Sequence, residues 1–149
     1  MRVHIGSDHA GFELKEHLVA ELTGKGYDVV DHGAPGYDAE DDYPTYCLPT
    51  AEAVVADPGS LGIVIGGSGN GEAIAANKVD GVRCALAWSE DTARLGRQHN
   101  DANVVSVSGR LHTQQDATRF VELFLETPFS GDPRHQRRIQ LLTDYESTR

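Results

Sequence analysis

The stretch from Leu61 to Lys78 constrains the fold of this chain more than any other segment. An apolar run, Leu61-Gly62-Ile63-Val64-Ile65, leads into the loop Gly66-Gly67-Ser68-Gly69-Asn70-Gly71, and the segment Glu72-Ala73-Ile74-Ala75-Ala76-Asn77-Lys78 follows. A short run of branched apolar residues predicts a buried parallel strand, and an alanine-rich segment predicts a helix. The glycine-rich loop is therefore expected to be a strand-to-helix turn.

This loop has the composition of an anion-binding turn. Its four glycines, which are Gly66, Gly67, Gly69 and Gly71, leave room for a ligand to approach the backbone N–H groups. At a helix N-terminus such groups favour an anion by about 0.3–1 kcal/mol. With Ser68 and Asn70 in the loop, the pattern predicts an oxyanion cradle that has Glu72 as a candidate base. The alternative is an ordinary turn in which Glu72 only compensates the helix dipole.

The spacing excludes two better-known phosphate-binding loops. The P-loop ends in Gly-Lys-Ser/Thr, whereas here Gly71 is followed by Glu72. The dinucleotide fingerprint G-x-G-x-x-G fails because its last glycine would fall on Glu72 or Ile74. Neither a nucleoside triphosphate nor NAD is the expected ligand, and we expect no cofactor.

Charge and cysteine content limit the partners. A formal net charge of -10 argues against binding to nucleic acid or to an anionic membrane. Cys47 and Cys84 are the only cysteines, and no His/Cys spacing suits zinc, so we expect a reduced, metal-free, cytoplasmic protein. The amino terminus lacks the apolar region of a signal peptide, and no apolar run reaches membrane-spanning length.

Strand and helix patterns alternate along the whole chain. Short apolar runs that predict strands begin near Arg2, Asp28, Leu61, Val82 and Val104. Helical spacing separates them, as in the i, i+3, i+4, i+7, i+8 pattern that starts at Ala117. This order predicts an α/β fold, a Rossmann-like three-layer αβα sandwich around a five-stranded parallel sheet, with residues 1–149 as a single domain.

Polar residues follow several of these strands, and parallel sheets bind ligands at the carboxyl ends of their strands. The first strand leads to Asp8 and His9, the third leads to the glycine loop, and the helix before the fifth ends in His99 and Asn100. We expect all of them at one edge of the sheet. Taken alone, each pair could also be an ordinary helix-start or helix-end residue with a polar neighbour.

Two charged segments stand out. The acidic loop from Asp38 to Asp42 predicts a solvated face, with Tyr43 at its end as a candidate lid contact. Arg134 and Arg138 have i, i+4 spacing, so they share a helix face that could hold a phosphate from two sides or simply be solvated. Arg110 is a lone arginine on a loop and is a weaker candidate.

Five motifs in sequence order resemble those of the ribose-5-phosphate isomerase B family, which includes galactose-6-phosphate isomerase subunits. They are Gly6-Ser7-Asp8-His9-Ala10-Gly11-Phe12, Asp42-Tyr43-Pro44, the segment from Gly66 to Lys78, Arg97-Gln98-His99-Asn100-Asp101 and Arg134-His135-Gln136-Arg137-Arg138. The resemblance covers nearly the whole chain. It implies metal-free interconversion of an aldose phosphate and a ketose phosphate through an enediolate, in a site shared by two subunits of a dimer.

The resemblance also implies a role for each residue. His9, Arg134 and Arg138 would hold the phosphate. Arg110 would join them from the partner subunit. Asp8 and His99 would assist opening of the sugar ring, Asn100 would hold a hydroxyl group, and the amides from Gly66 to Gly71 would stabilise the enediolate oxygen.

The base is where the chain departs from many family members, which have a cysteine in the place of Gly66. Here Glu72 resembles the base of an actinobacterial-type subgroup, in which the loop serine, Ser68, assists. A carboxylate can both take a proton from one carbon of an enediolate and return it to the next. We expect Glu72 to be ionised at neutral pH.

The expected activity is therefore interconversion of D-ribose 5-phosphate and D-ribulose 5-phosphate. One rival is an isomerase of a tetrulose phosphate or a hexose phosphate, since pocket length is not readable from one sequence. The other is a non-catalytic module that binds a sugar phosphate. We expect a homodimer or a pair of dimers, with the C-terminal helix packed on a partner subunit.

Overall fold

The computed structural model describes all 149 residues and has one five-stranded parallel sheet with strand order β2-β1-β3-β5-β4. The strands are β1 (Arg2–Ser7), β2 (Asp28–Asp31), β3 (Leu61–Gly66), β4 (Cys84–Leu86) and β5 (Val104–Ser108). The helices are α1 (Phe12–Gly24), α2 (Pro44–Ala56), α3 (Asn70–Asn77), α4 (Glu90–Asn100), α5 (Gln114–Glu126) and α6 (Pro133–Glu146). The predicted Rossmann-like sandwich is confirmed.

The sheet has a hydrophobic core on each face. On one face, α1, α4 and α5 pack on strand residues such as Ile5 and Ile63. On the other, α2 and α3 pack on Val64 and Val104. All six residues of β3 are buried, because this central strand pairs with β1 and β5 and is covered on both faces. The apolar run before the glycine loop therefore lies at the centre of the molecule.

Local sequence signals explain where the helices begin. Pro44 occupies the first turn of α2, where its missing N–H costs nothing. Ser89 caps α4 in a reciprocal capping box with Thr92. The apolar positions of α5 are buried, as its spacing predicts. In α6, however, Leu142 and Tyr145 are 56% and 69% exposed, so this helix presents an apolar stripe that its own chain does not cover.

One expectation about the sheet edge is wrong. A helix that connects parallel strands runs antiparallel to them, so α4, which starts beyond the carboxyl end of β4, ends near the start of β5. The side chain of Arg83, just before β4, accordingly donates a hydrogen bond to the carbonyl of Asn100 at 2.9 Å. His99 and Asn100 thus lie at the amino edge of the sheet, opposite to Asp8 and the glycine loop. No helix is both long and apolar enough to cross a membrane.

Candidate active site

The chain reverses its direction of progress across the sheet between β1 and β3. It moves outward from β1 to β2 and then returns to place β3 on the other side of β1. In open parallel sheets such a reversal opens a crevice at the carboxyl ends of the two strands. Asp8 follows β1 and the glycine loop follows β3, so both border this crevice.

Glu72 is held against the backbone of Gly66. Glu72 is only 4% exposed. If Gly66 carried a Cβ atom, that atom would lie 2.6 Å from Glu72 Oε2 and closer still to Oε1. Oε2 is buried and has no hydrogen-bond partner. Burial raises the pKa of Glu72, and the negative charge of Asp8 raises it further, whereas the backbone amides of Glu72 and Gly69 oppose the shift. Burial is thus the dominant influence on this carboxyl group.

The carbonyl groups of the glycine loop are fixed by β5 and the residues after it. Ser108 Oγ donates to the carbonyl of Gly67 at 2.6 Å, and Ser106 Oγ donates to that of Gly69 at 2.7 Å. The amide of Gly109 donates to the carbonyl of Gly66 at 2.8 Å. The bonds to the carbonyls of Gly66 and Gly67 fix the peptide planes that carry the amides of Gly67 and Ser68, and these two amides have no acceptor in the chain. Donors fixed in this way can bind a developing oxyanion without reorganising.

The turn depends on two further local features. Gly69 precedes α3 with φ of 87°, a left-handed conformation that favours glycine. Ser68 Oγ accepts a hydrogen bond from the amide of Asn70 at 3.1 Å, which fixes the serine side chain at the helix start. The ring of Tyr43 covers Gly71, because a Cβ atom there would lie 2.7 Å from Tyr43 Cζ. Tyr43 thus lies beside the loop, where we expected a lid contact.

Asp8 and His9 lie at the start of the first turn after β1. Asp8 is 6% exposed, and its Oδ1 accepts a hydrogen bond from the amide of Ala10 at 3.0 Å. His9 Nδ1 lies 2.7 Å from Asp41 Oδ1. The pKa of His9 is raised chiefly by its hydrogen bond to Asp41, with a contribution from Asp8, while burial and Arg110 lower it. The crevice therefore holds a histidine whose pKa is raised by a carboxylate partner.

Arg110 belongs to this same crevice and the same chain. Its Nη1 would lie 3.5 Å from a Cβ atom on Gly67, and it is near enough to His9 to oppose the charge of the imidazole. The resemblance implied that this arginine comes from a partner subunit, whereas here it reaches the glycine loop of its own chain. The physical reason is that β5 pairs with β3, so the loop after β5 runs beside the glycine loop.

The remaining predicted residues form a second cluster between α4 and α6. A cavity of about 200 Å³ there is lined by His99, Asn100, His135, Arg138, Ile139 and Leu142. The rings of His99 and His135 lie 4.3 Å apart, and Ser130 Oγ lies 3.1 Å from His135 Nδ1. Burial and the neighbouring His99 lower the pKa of His135. Arg134 is also on α6, and its side chain is 60% exposed.

Sequence reasoning missed three residues of the crevice. Asp41 was placed on a solvated face, yet its side chain is only 6% exposed and contacts His9. No local signal distinguishes it from the other acids of its loop. Ser106 and Ser108 had a usable signal, since hydroxyl groups at alternate positions of a buried strand need partners and the glycine loop was the nearest candidate.

The crevice also contains a group of side chains that could hold a cation. Asp8, His9 and Asp41 offer ligand atoms that all lie within 4.8 Å of one another. A metal bound through Nδ1 of His9 would displace the proton of that nitrogen and with it the hydrogen bond to Asp41. By contrast, Cys47 is fully buried, and burial raises the pKa of both cysteine thiols, so neither is suited to act as a nucleophile.

Known proteins resemble the chain over almost its full length. Residues 3–142 match the family described as Ribose/Galactose Isomerase. Ribose-5-phosphate isomerase B of Mycolicibacterium paratuberculosis is 58% identical, covering 99% of this chain and 93% of that protein. The enzyme of Mycobacterium tuberculosis strain H37Rv is 56% identical, covering 99% of this chain and 91% of that protein.

Solved structures agree with the sequence relatives. The ribose-5-phosphate isomerase B of Mycoplasma genitalium, solved with bound ribulose-5-phosphate, superposes with a TM-score of 0.94 at 43% identity, covering 98% of this chain and 96% of that one. The Clostridium thermocellum enzyme has a TM-score of 0.95 at 39% identity, with 99% of each chain covered. On the sequence match and the shared fold together, this chain belongs to the ribose/galactose isomerase family.

Proposed function

We propose that this protein interconverts D-ribose 5-phosphate and D-ribulose 5-phosphate, with Glu72 as the base that moves the proton. The observation that carries the proposal is the desolvated Glu72 carboxylate, held against Gly66 beside backbone amides that have no acceptor. Relatives at 56–58% identity are ribose-5-phosphate isomerases B, which supports the choice of substrate.

The reaction moves one proton between neighbouring carbons of the open-chain sugar. Glu72 takes the proton from C2, the C–H electron pair forms the C1=C2 bond, and the carbonyl pair moves onto O1. The amides of Gly67 and Ser68 stabilise the negative oxygen. Glu72 then returns its proton to C1, while the O2 proton passes to O1 with the Ser68 hydroxyl as the shuttle. A positioned base contributes about 10²–10⁴ in rate and each oxyanion donor about 10²–10³.

The raised pKa of Glu72 serves this chemistry. A carboxylate that binds its proton more tightly is a stronger base toward a carbon acid, so burial brings its pKa nearer to the working pH. Only part of the charge is offset, because Oε2 has no donor. Ionised Glu72 at neutral pH remains our expectation.

The other roles are divided between two subunits of a homodimer. In one chain, Asp8 assists ring opening, while His9 and Arg110 hold the phosphate from the crevice side. The cluster on α4 and α6 lies at the far edge of its own sheet and is largely exposed, so it cannot complete the crevice of its own chain. The crevice is completed by His99 of the partner subunit for ring opening, Asn100 of the partner subunit for a hydroxyl group, and Arg134 and Arg138 of the partner subunit for the phosphate.

The exposed apolar stripe of α6 supports this arrangement. Leu141, Leu142 and Tyr145 are more than half exposed, which is unusual for neighbouring large apolar residues of one helix. Packing α6 on a second chain would cover them and carry the arginines toward that chain. Pairing of two dimers would leave this site unaltered, so the proposal is a homodimer or a dimer of dimers.

The deciding experiment is solvent deuterium exchange during turnover. In D₂O with EDTA present, the wild type should interconvert the two pentose phosphates and incorporate deuterium at the carbon that exchanges with Glu72. Glu72→Gln keeps the shape of the side chain and removes the base, so it should bind substrate but neither isomerise nor exchange. Unchanged turnover in Glu72→Gln would show that another group is the base, and loss of wild-type activity in EDTA would show a required metal.

Mixed dimers test the shared site. In dimers of a Glu72→Gln chain and a His99→Ala chain, one of the two sites should be intact, so random mixing should restore about a quarter of wild-type activity. The matched control mixes Glu72→Gln with Arg110→Ala, which should not recover because both residues serve one site from the same chain. Recovery in the control, or no recovery in proven His99 mixed dimers, would contradict this division of residues.

A second substrate class is kept because the family name includes galactose isomerase. Four-, five- and six-carbon sugar phosphates should be compared by kcat/KM, and preference for a tetrulose or hexose phosphate would overturn the pentose assignment. We further infer that the protein is cytoplasmic, which its two free cysteines support. The proposed reaction belongs to the pentose phosphate pathway.

A further inference from the structure

Asp41 contacts both the backbone and the side chain of His9. Its Oδ1 accepts the backbone amide of His9 at 2.9 Å and lies 2.7 Å from His9 Nδ1. The Asp41 side chain is only 6% exposed, and its Oδ2 is buried without any hydrogen-bond partner. The imidazole of His9 is therefore the only side chain within hydrogen-bond distance of this carboxylate.

The contact fixes both the direction and the proton of the His9 ring. An ionised carboxylate can only accept, so Nδ1 carries the hydrogen. The ring cannot rotate without losing this bond, and the second bond from the same oxygen holds the backbone that carries the ring. Nε2 makes no hydrogen bond within the chain, so it is the nitrogen left for a ligand.

The charges around the ring come from three segments. Asp8 precedes His9 and favours its cation, Arg110 on the loop after β5 opposes it, and Asp41 on the loop after β2 is the strongest influence. The ring of Tyr37, from the same loop as Asp41, lies edge-on at 6.3 Å. Without Asp41, the burial of His9 and the nearby arginine would dominate and would favour the neutral ring.

We propose that Asp41 is a positioning residue, whose Oδ1 holds both the backbone amide and the Nδ1–H of His9 and so directs the Nε2 side of the imidazole at the substrate phosphate. The inference rests on the proposed function, in which His9 is a phosphate ligand. A phosphate in its dianionic form accepts a charge-assisted hydrogen bond from an imidazolium more strongly than from a neutral imidazole. Asp41 thus acts on substrate binding through His9 and does not touch the reacting carbons.

The test is Asp41→Asn, which keeps the size of the side chain and removes its charge. Histidine NMR titration of the free protein should show the pKa of His9 falling in the variant. Above about pH 7, where the second proton of a phosphate ester has been lost, KM for ribose 5-phosphate should rise about tenfold or more, with a much smaller change in kcat. The difference in KM should shrink as pH is lowered, because His9 then becomes protonated in both proteins.

Two controls separate positioning from loop structure. Glu40→Gln removes a charge from the neighbouring exposed position and should leave the His9 titration and KM unchanged. In a His9→Gln background, Asp41→Asn should add no further rise in KM or in the Kd of inorganic phosphate. An unchanged His9 titration, a KM rise that is equal at all pH values, or a full effect in the His9→Gln background would each overturn the proposal. If the wild type fails to convert ribose 5-phosphate, the proposed function fails, while the His9 titration and phosphate binding still decide the role of Asp41.

Discussion

Replacing Gly66 with alanine places a methyl group in the volume that the Glu72 carboxylate occupies. The new Cβ would lie 2.6 Å from Oε2 and closer still to the other two carboxylate atoms. Carbon atoms in contact prefer separations of about 3.5–4.0 Å, so the carboxylate must retreat by about 1 Å or more. It is the free end of a flexible side chain, so we expect the fold to survive.

The expected result is a loss of catalysis without a loss of structure. A displacement of about 1 Å can cost about 10²-fold in rate, and removing a general base costs about 10²–10⁴. We therefore expect kcat to fall by at least about 10², which is about 3 kcal/mol of transition-state stabilisation. The assay is the initial rate of ribulose 5-phosphate formation, with thermal unfolding measured in parallel.

Non-additivity shows whether Gly66→Ala acts through Glu72. If it only displaces the carboxylate, the double variant with Glu72→Gln should be no slower than Glu72→Gln alone. Gly24→Ala is the matched control, because a Cβ atom there meets nothing within 4 Å. Wild-type kcat in Gly66→Ala, or additive losses of kcat in the double variant, would refute the idea that a glycine is needed here to leave room for the Glu72 carboxylate.

Three further predictions concern stability. Burial and the charge of Asp8 raise the pKa of Glu72 in the folded protein, so the stability contributed by its bound proton is present below about pH 4 and is lost as pH rises through the raised value. In urea unfolding, Glu72→Gln should therefore gain stability relative to wild type as pH rises above about pH 4, and curves that stay parallel would contradict this. Asp31→Asn should destabilise the protein by about 1–3 kcal/mol in the same assay, because the fully buried Lys15 ammonium loses its carboxylate at 2.7 Å and keeps only the more exposed Glu16 at 3.0 Å. Lys15→Met should cost less, and the reverse order would be inconsistent with an under-compensated buried charge. Thr118→Val should be neutral or stabilising by up to about 1 kcal/mol, since the buried Oγ1 has no partner, and a clear drop in Tm would reveal a missed hydrogen bond.

The fold was predictable because its signals are local. The buried run before Gly66, the Ser89 cap and the apolar spacing from Ala117 each specify one element without reference to the others. Alternation of strands and helices then leaves few arrangements other than a parallel sheet covered on both faces. Local signals did not predict the length of β4, which spans only Cys84–Leu86. This edge strand ends where its pairing with β5 ends, and that pairing is not visible in the local sequence.

The candidate site was predictable only where one loop carries it. The glycine loop and Glu72 lie together in the sequence, so their proximity needed no knowledge of the fold. Arg110 reaches the loop only because β5 pairs with β3, and Asp41 reaches His9 only through the path of the loop after β2. His99 was misplaced because the rule for strand ends was applied to a helix end, which points to the opposite edge.

The distribution of charge gives a reason for dividing such a site between subunits. Within one chain the crevice brings Asp8, Asp41 and Glu72 together with only His9 and Arg110 as cations nearby. A sugar phosphate adds about two negative charges, and the enediolate adds a partial third, so the single-chain crevice would repel its own transition state. In the proposed homodimer, arginines supplied across the interface would offset that repulsion only when the dimer forms. A variant that is folded but held monomeric should therefore lose binding of inorganic phosphate together with activity, whereas loss of activity alone would place the missing residues in catalysis and not in charge balance.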